Sequence, residues 1–437
     1  MSSMKKAVHL AFCLAWVAIS ASGADDIDAG HQVPLQGETA ADAHTRQHPE
    51  LPVLGYVTPW HSRGKQLVEE YRSSFDIVSP VWYTVHPTQD DAEVYTVRGG
   101  PPDKDDEEWY LRLQKPSPAG SKPLQIVPRF FLDGWMQDDF RQLVFNETRW
   151  SGLASAILRV VEDMSFDGVV FESAVSHALH GPLSELAQRL WDKEKTMVLV
   201  LPPTRKHDES LNDISEQTVT LLADVVDYFS VMTYDMTGPG GNEWEEPFPA
   251  SSPLHAAQQQ HKVRVPGPNT SAAWIRHNIM ALSKQEYDGQ QEFSNLQSRD
   301  ASKKVGLGKL LIGLPLYGYK YPVLFADKDK GRIIQGSDGE EDELCILRGP
   351  GEAVVMSQIE ELIEEHQPEL QRDDDDEPEY YFDYMEDGGS WRLYLPTAKS
   401  MAKSLKAISQ SSESLGSACG VALWEVGQSS TELLLTL

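Results

Sequence analysis

The chain reads as an α/β protein whose strands close into one parallel (β/α)8 barrel. Three observations predict it: eight short apolar runs, amphipathic stretches between them, and a length suited to one elaborated barrel. The chain has 437 residues, 40% hydrophobic, 24% charged and 9% aromatic, an ordinary globular mixture with material for a large core. Barrels of this class run from about 250 to more than 400 residues once insertions are counted.

The runs are Val53 to Val57, Ile77 to Val85, Leu124 to Phe131, Phe166 to Phe171, Met197 to Leu201, Tyr228 to Tyr234, Leu310 to Tyr317 and Gly420 to Val426. They are apolar on successive residues, as parallel strands buried on both faces require. Helices are expected at Lys65 to Phe75, Trp150 to Asp163, Leu183 to Lys193, Leu211 to Ala223, Ala272 to Lys284 and Thr397 to Ser409. Strand and helix alternation argues for a parallel barrel. The working residues of such barrels sit at the C-terminal ends of the strands and in the loops that follow.

Between the seventh and eighth runs the alternation breaks, and about 320–390 reads as an inserted segment with acidic stretches at Gly339 to Glu343 and Asp373 to Glu377. The second stretch lacks the alternating ligands and turn glycine of a calcium loop, so it reads as a solvated loop. Residues 1–23 carry Lys5 and Lys6, an apolar stretch from Ala7 to Ile19 and a small-residue close, the three-part pattern of a secretory signal peptide. Residues 24–50 are polar and aperiodic, a flexible segment, and the barrel is expected over 51–437. Signal cleavage removes Cys13, leaving Cys345 and Cys419, which either pair or stay as buried thiols. No second apolar run is long enough to span a membrane.

There are 67 acidic and 38 basic residues, a net charge of −29 that becomes −31 once Lys5 and Lys6 are removed. That field disfavours nucleic acid, anionic membranes, lipopolysaccharide phosphates and acidic polysaccharides, so a carbohydrate partner should be neutral. His61 and His86 fall in loops after strands, but no zinc spacing accompanies them. No Gly-rich phosphate loop or G-x-S-x-G elbow is present, and no cofactor is implied. Asn146-Glu147-Thr148 and Asn269-Thr270-Ser271 match the N-glycosylation acceptor pattern, which has meaning only in a secreted glycoprotein.

Four segments in order carry a resemblance. Phe166-Asp167-Gly168-Val169-Val170-Phe171-Glu172 is similar to the fourth-strand signature Asp-Gly-x-Asp-x-Asp-x-Glu of family 18 glycoside hydrolases. Val231-Met232-Thr233-Tyr234-Asp235 resembles that family's sixth-strand Met-x-Tyr-Asp. Leu311 to Gly318 resembles its seventh strand, and Gly420 to Glu425 its eighth, where a Trp floors the sugar site. Val53 to Trp60, Val78 to Trp82 and Trp424 to Gln428 resemble one branch more closely, the chitinase domain-containing proteins of animals, which are secreted and lysosomal chitinase-like lectins.

The resemblance implies a TIM barrel and a departure from catalysis. Aligning Asp167 on the first Asp of the signature puts Val170 on the second, Glu172 on the third and Ala174 on the Glu that protonates the leaving oxygen. In the family the substrate's own acetamide then attacks the anomeric carbon. Positions 170, 172 and 174 are expected to share a strand face, so Glu172 falls short of the acid position: two strand residues span about 6.6 Å, one methylene about 1.5 Å. Losing a positioned acid removes about 10² to 10⁴ in rate. Glu172 then either contacts ligand or pairs with a buried donor.

Sugar binding depends on other atoms, because pyranose C–H faces stack on aromatic rings. Trp424 is the leading candidate, and Tyr234 and Asp235 carry over as acetamide and pyranose contacts. Met232 and Tyr317 are as consistent with layer packing, and Trp60, Trp82 and Trp135 either extend the groove or pack in the core. The expected protein is a secreted or lysosomal binder of chitin or N-acetylglucosamine oligosaccharides without a catalytic Glu. The alternatives are a weak hydrolase using Glu172 and a scaffold for a protein receptor with a closed groove.

Overall fold

The computed structural model describes residues 46–88, 94–117, 121–205, 214, 216–260, 262–283, 307–334, 343–372, 379–415 and 419–437. The signal peptide, most of the polar segment up to residue 45, and the acidic stretches at 339–342 and 373–377 lie outside these residues.

Each predicted run contributes a barrel strand. The first, Val53–Val57, lies parallel between Ile77–Pro80 and Gly420–Trp424. Gly168–Glu172, Thr196–Leu201, Tyr228–Val231 and Leu310–Pro315 follow in parallel order, and Leu310–Pro315 reaches Gly420–Trp424. Two runs expected as single strands are interrupted. The second divides into Ile77–Pro80 and Tyr83–Pro87, the third into Gln125–Ile126 and Arg129–Leu132. Pro80 and Pro128 fall at these breaks and have no N–H for a ladder. The first halves pair with each other and so do the second halves, and Val127 N–H bridges the gap to Val78 O at 2.9 Å. The ring of strands is thereby closed, as a TIM-like barrel.

Alternation along the strands explains the continuous apolar runs. Leu54, Tyr56, Ile77, Val170, Val198, Val200, Leu311 and Ala422 fill the interior. Their neighbours Val53, Val57, Val169, Phe171, Leu199, Ile312, Val421 and Leu423 face the helices. Fully burying a side chain such as Phe171 or Leu199 contributes about 2 kcal/mol. Gly168 is required by close approach, since a Cβ there would lie 2.2 Å from Thr196 O.

The helices at Arg63–Glu70, Glu147–Asp163, His180–Trp191, Glu216–Leu222, Ala272–Ser283 and Ala398–Leu415 correspond to those expected. Lys104–Leu113, Gln137–Phe145, Pro253–Gln260 and Met356–His366 were not expected. Helix Lys104–Leu113 starts at Asp103, whose carboxylate accepts from Asp106 N at 2.9 Å.

The insertion is a subdomain built on an antiparallel sheet. Tyr317–Asp327 continues almost directly from the seventh barrel strand and pairs with Glu343–Leu347, Glu352–Val355 and Gly389–Leu395, the last in a hairpin with Tyr380–Glu386. Arg392 clasps the hairpin through two 2.8 Å bonds to Asp383 and lies 4.2 Å over the Tyr381 ring. Tyr317, Tyr319, Tyr321, Phe325, Tyr381 and Tyr394 form its core. Tyr317 therefore opens the insertion and does not end the seventh barrel strand.

Cys345 and Cys419 are buried thiols that do not bridge each other. One belongs to the insertion core and the other to the layer beneath the helices. Burial pushes the Cys419 thiol up to about 11. Among the described residues no helix is long and apolar enough to cross a membrane.

Candidate functional site

The end of the eighth strand places Trp424 where barrel interior and insertion meet. Its half-buried ring packs against both clusters. It stacks on Tyr234 at 6.3 Å between centroids and 19° between planes, and meets Tyr56 at 5.2 Å and 60°. The Tyr56 hydroxyl donates to the buried Ser230 Oγ at 2.8 Å. Gly313 of the seventh strand makes room, because a Cβ there would lie 3.0 Å from the Tyr234 ring and 2.4 Å from Val231 O. Burial first, then Tyr56, Glu172 and Asp235, pushes the Tyr234 phenol well above its ordinary value, so it remains a protonated donor.

Asp235 follows the sixth strand with a left-handed backbone, φ +55°, a conformation that costs about 1 kcal/mol or more for a non-glycine residue. The surroundings hold it there. Its N–H donates to Asn269 Oδ1 at 2.7 Å and its carbonyl accepts from Arg205 Nη2 at 3.0 Å. Its Oδ1 accepts from the hydroxyls of Tyr317 at 2.5 Å and Tyr319 at 2.9 Å. Burial raises the Asp235 carboxyl above its usual range, and the two hydroxyls with Arg205 offset only part of that rise. Asn269 is fully buried, donates through Nδ2 to Tyr317 O at 3.3 Å, and donates through its backbone N–H to Glu379 Oε2 at 2.6 Å. Asn269, Tyr319 and Arg205 escaped the sequence reading, which marked Asn269 only as a glycosylation triplet.

The fourth strand is differently equipped. Asp167 Oδ2 accepts from Ile126 N at 2.8 Å and from Gln114 Nε2 at 2.9 Å, which fixes the strand's start to its neighbour. Val170 is fully buried in the barrel interior. Glu172 points the same way and accepts from Arg129 Nε at 2.5 Å, with only 21% and 13% of the two side chains exposed. Arg129 in turn lies 4.8 Å over the Phe131 ring. The donor that Glu172 needs is thus Arg129, on the adjacent third strand.

The strand ends at Glu172, and Ala174 is exposed in the turn beyond it. The expectation that 170, 172 and 174 share one strand face is therefore corrected: pleated alternation stops before 174, and the 6.6 Å spacing does not apply there. The chemical deficit is unaffected, since a methyl group has no acidic proton to donate.

The other aromatic candidates divide. Trp82 is buried beneath the helices against Trp109, Tyr110 and Phe166 at 6.0 to 6.4 Å, so it is core and not groove. Trp135 is likewise core: it stacks on Tyr95 and donates to Val85 O at 2.7 Å. Trp60 is 51% exposed in the loop after the first strand. Met232 packs against the barrel interior. His61 meets the buried Glu425 at 2.5 Å, and Glu425 also accepts from Gly427 N at 3.0 Å, so the turn beyond Trp424 is tied to the first loop. His86 contacts Thr84. Among the described residues no cluster of His, Cys, Asp and Glu could hold a metal ion.

The mouth of the barrel thus offers an aromatic floor and a clamped carboxyl, which suit a ligand with apolar faces and polar edges. The same fold occurs in the chitinase from Chromobacterium violaceum, at 17% identity and a TM-score of 0.61 over 88% of this chain and 97% of that one. The Group IV chitinase of Ostrinia furnacalis matches at 14% and 0.56 over 88% and 96%. The spore cortex-lytic enzyme SleL of Bacillus megaterium matches at 14% and 0.59 over 88% and 72%. Residues 129–429 fit the sequence profile of glycosyl hydrolases family 18, and with two thirds of its length so matched, this chain belongs to that family.

Proposed function

We propose that this chitinase-like protein binds neutral N-acetylglucosamine oligosaccharides at the C-terminal mouth of the barrel and does not hydrolyse them. One observation carries the reading: Trp424, Tyr234 and Asp235 form a packed, hydrogen-bonded corner while a methyl group stands at the family's proton-donor position. A sugar ring laid on Trp424 meets a protonated phenol at Tyr234 and the polar edge at Asp235. The net charge of −29 disfavours an anionic ligand. The leader pattern and the closer likeness to the chitinase domain-containing branch support a secreted or lysosomal location and a lectin role.

A hydrolase using Glu172 is less consistent with the geometry, because that carboxylate is already an acceptor for Arg129. A protein scaffold draws support from the contact of Trp424 with the insertion core, which fills part of the mouth. Isothermal titration with chitotetraose separates these readings. Wild-type heat that is lost in Trp424→Ala supports the lectin. No wild-type heat ends it in favour of the scaffold. Release of product from a fluorogenic chitobioside that disappears in Glu172→Gln would restore the hydrolase.

A further inference from the structure

Two triplets in this chain match one acceptor motif, and the fold treats them oppositely. Asn146 is exposed between helix Gln137–Phe145 and helix Glu147–Asp163. Its Oδ1 caps the second helix by accepting from Thr148 N at 3.1 Å. The amide nitrogen is not used in that cap. Asn269 has no solvent exposure, and both ends of its amide are committed: Oδ1 accepts from Asp235 N and Nδ2 donates to Tyr317 O.

The chemistry of attachment distinguishes the two. In N-linked transfer the side-chain amide nitrogen attacks C1 of an oligosaccharide carried on a lipid pyrophosphate. The new N–C1 bond replaces the C1–O bond, the lipid pyrophosphate leaves, and one amide proton is lost. Substitution at nitrogen leaves the carbonyl lone pairs of Asn146 in place, so the helix cap survives modification. At Asn269 the same substitution would put a sugar where Tyr317 O receives its donor, inside a core without room for it.

From this contrast we infer that Asn146 is the site of N-linked glycan attachment in this chain, and that Asn269 is a structural residue whose triplet goes unused in the folded protein. A glycan at Asn146 also emerges beside Phe145, which is 82% exposed, and would cover an apolar ring otherwise left to water. This inference rests on secretory entry and not on the sugar-binding reading.

The full-length chain should be expressed in a secreting eukaryotic cell, treated with a peptide-N-glycosidase in heavy-oxygen water, and mapped by mass spectrometry. The expected result is isotopic conversion of Asn146 to Asp, absent in Thr148→Ala, with Asn269 unconverted in secreted protein. Asn146→Asp retains a capping oxygen and should melt above Asn146→Ala, both lacking the glycan. An unmodified Asn146, whether the chain is secreted or retained without passing the pathway, overturns the inference. Conversion at Asn269 in secreted, folded protein overturns it equally.

Discussion

The fourth strand and the corner built by the sixth and eighth strands face the same barrel mouth, yet have diverged in opposite senses. On the fourth strand two of the family's four carboxylates are replaced by Val170 and Ala174, and the remaining interior acid, Glu172, is tied to Arg129. At the corner every group is braced: Trp424 on Tyr234, Asp235 beneath two hydroxyls, Asn269 behind them. Proton transfer needs one group within hydrogen-bond reach of one oxygen, whereas stacking draws on a whole ring. A barrel can therefore lose the first at a single position and retain the second.

The largest expected effect is at Trp424. Trp424→Ala should weaken chitotetraose binding at least tenfold, about 1.4 kcal/mol, read by titration calorimetry. Equal affinity in this variant would place the sugar elsewhere and dissolve the contrast.

Next is the pair on the fourth strand. Arg129→Met leaves Glu172 without its guanidinium and should cost about 1 kcal/mol in chemical denaturation. The double variant Arg129→Met/Glu172→Gln should recover most of the loss. If the single change costs nothing, Glu172 is not held by that contact, and the hydrolase reading gains ground.

A smaller effect separates the two regions by pH. The Asp235 carboxyl is raised on folding, so its ionisation opposes the folded state. That cost is absent below the unfolded value of about 4 and complete above the raised one. Asp235→Asn keeps an oxygen for both tyrosines. Its melting temperature should therefore gain on wild type as pH rises from about 3.5 to 7, measured by scanning calorimetry. A gap that narrows with pH would mean the carboxyl is not raised.

The smallest effect is at the exposed turn. Ala174→Glu should change stability by less than about 0.5 kcal/mol and release no product from a fluorogenic chitobioside, because the signature's second carboxylate is also absent at Val170. Turnover from this one substitution would show that the fourth strand is one residue short of an enzyme.

The barrel was legible because strands buried on both faces must be apolar on successive residues, and that pattern survives without context. Its interruptions were visible in principle, since Pro80 and Pro128 sit inside two of the runs. Trp424, Tyr234 and Asp235 were legible through a family motif. Arg129, Asn269 and Tyr319 were not, because each gains its role from a partner 43, 34 or 84 residues away, and no local period records such a contact. Trp82 and Trp135 were open between groove and core for a related reason: proximity to a strand end does not say which way a side chain turns.

The two hydroxyls that grip Asp235 come from alternate residues of a strand that belongs to the insertion, not to the barrel. The mouth is therefore furnished from outside the ring of strands. Replacing either tyrosine would strip the Asp235 carboxyl of a phenolic donor without altering any residue of the eight barrel strands, so ligand preference in relatives should track the tyrosine register of the appended sheet more closely than the barrel itself.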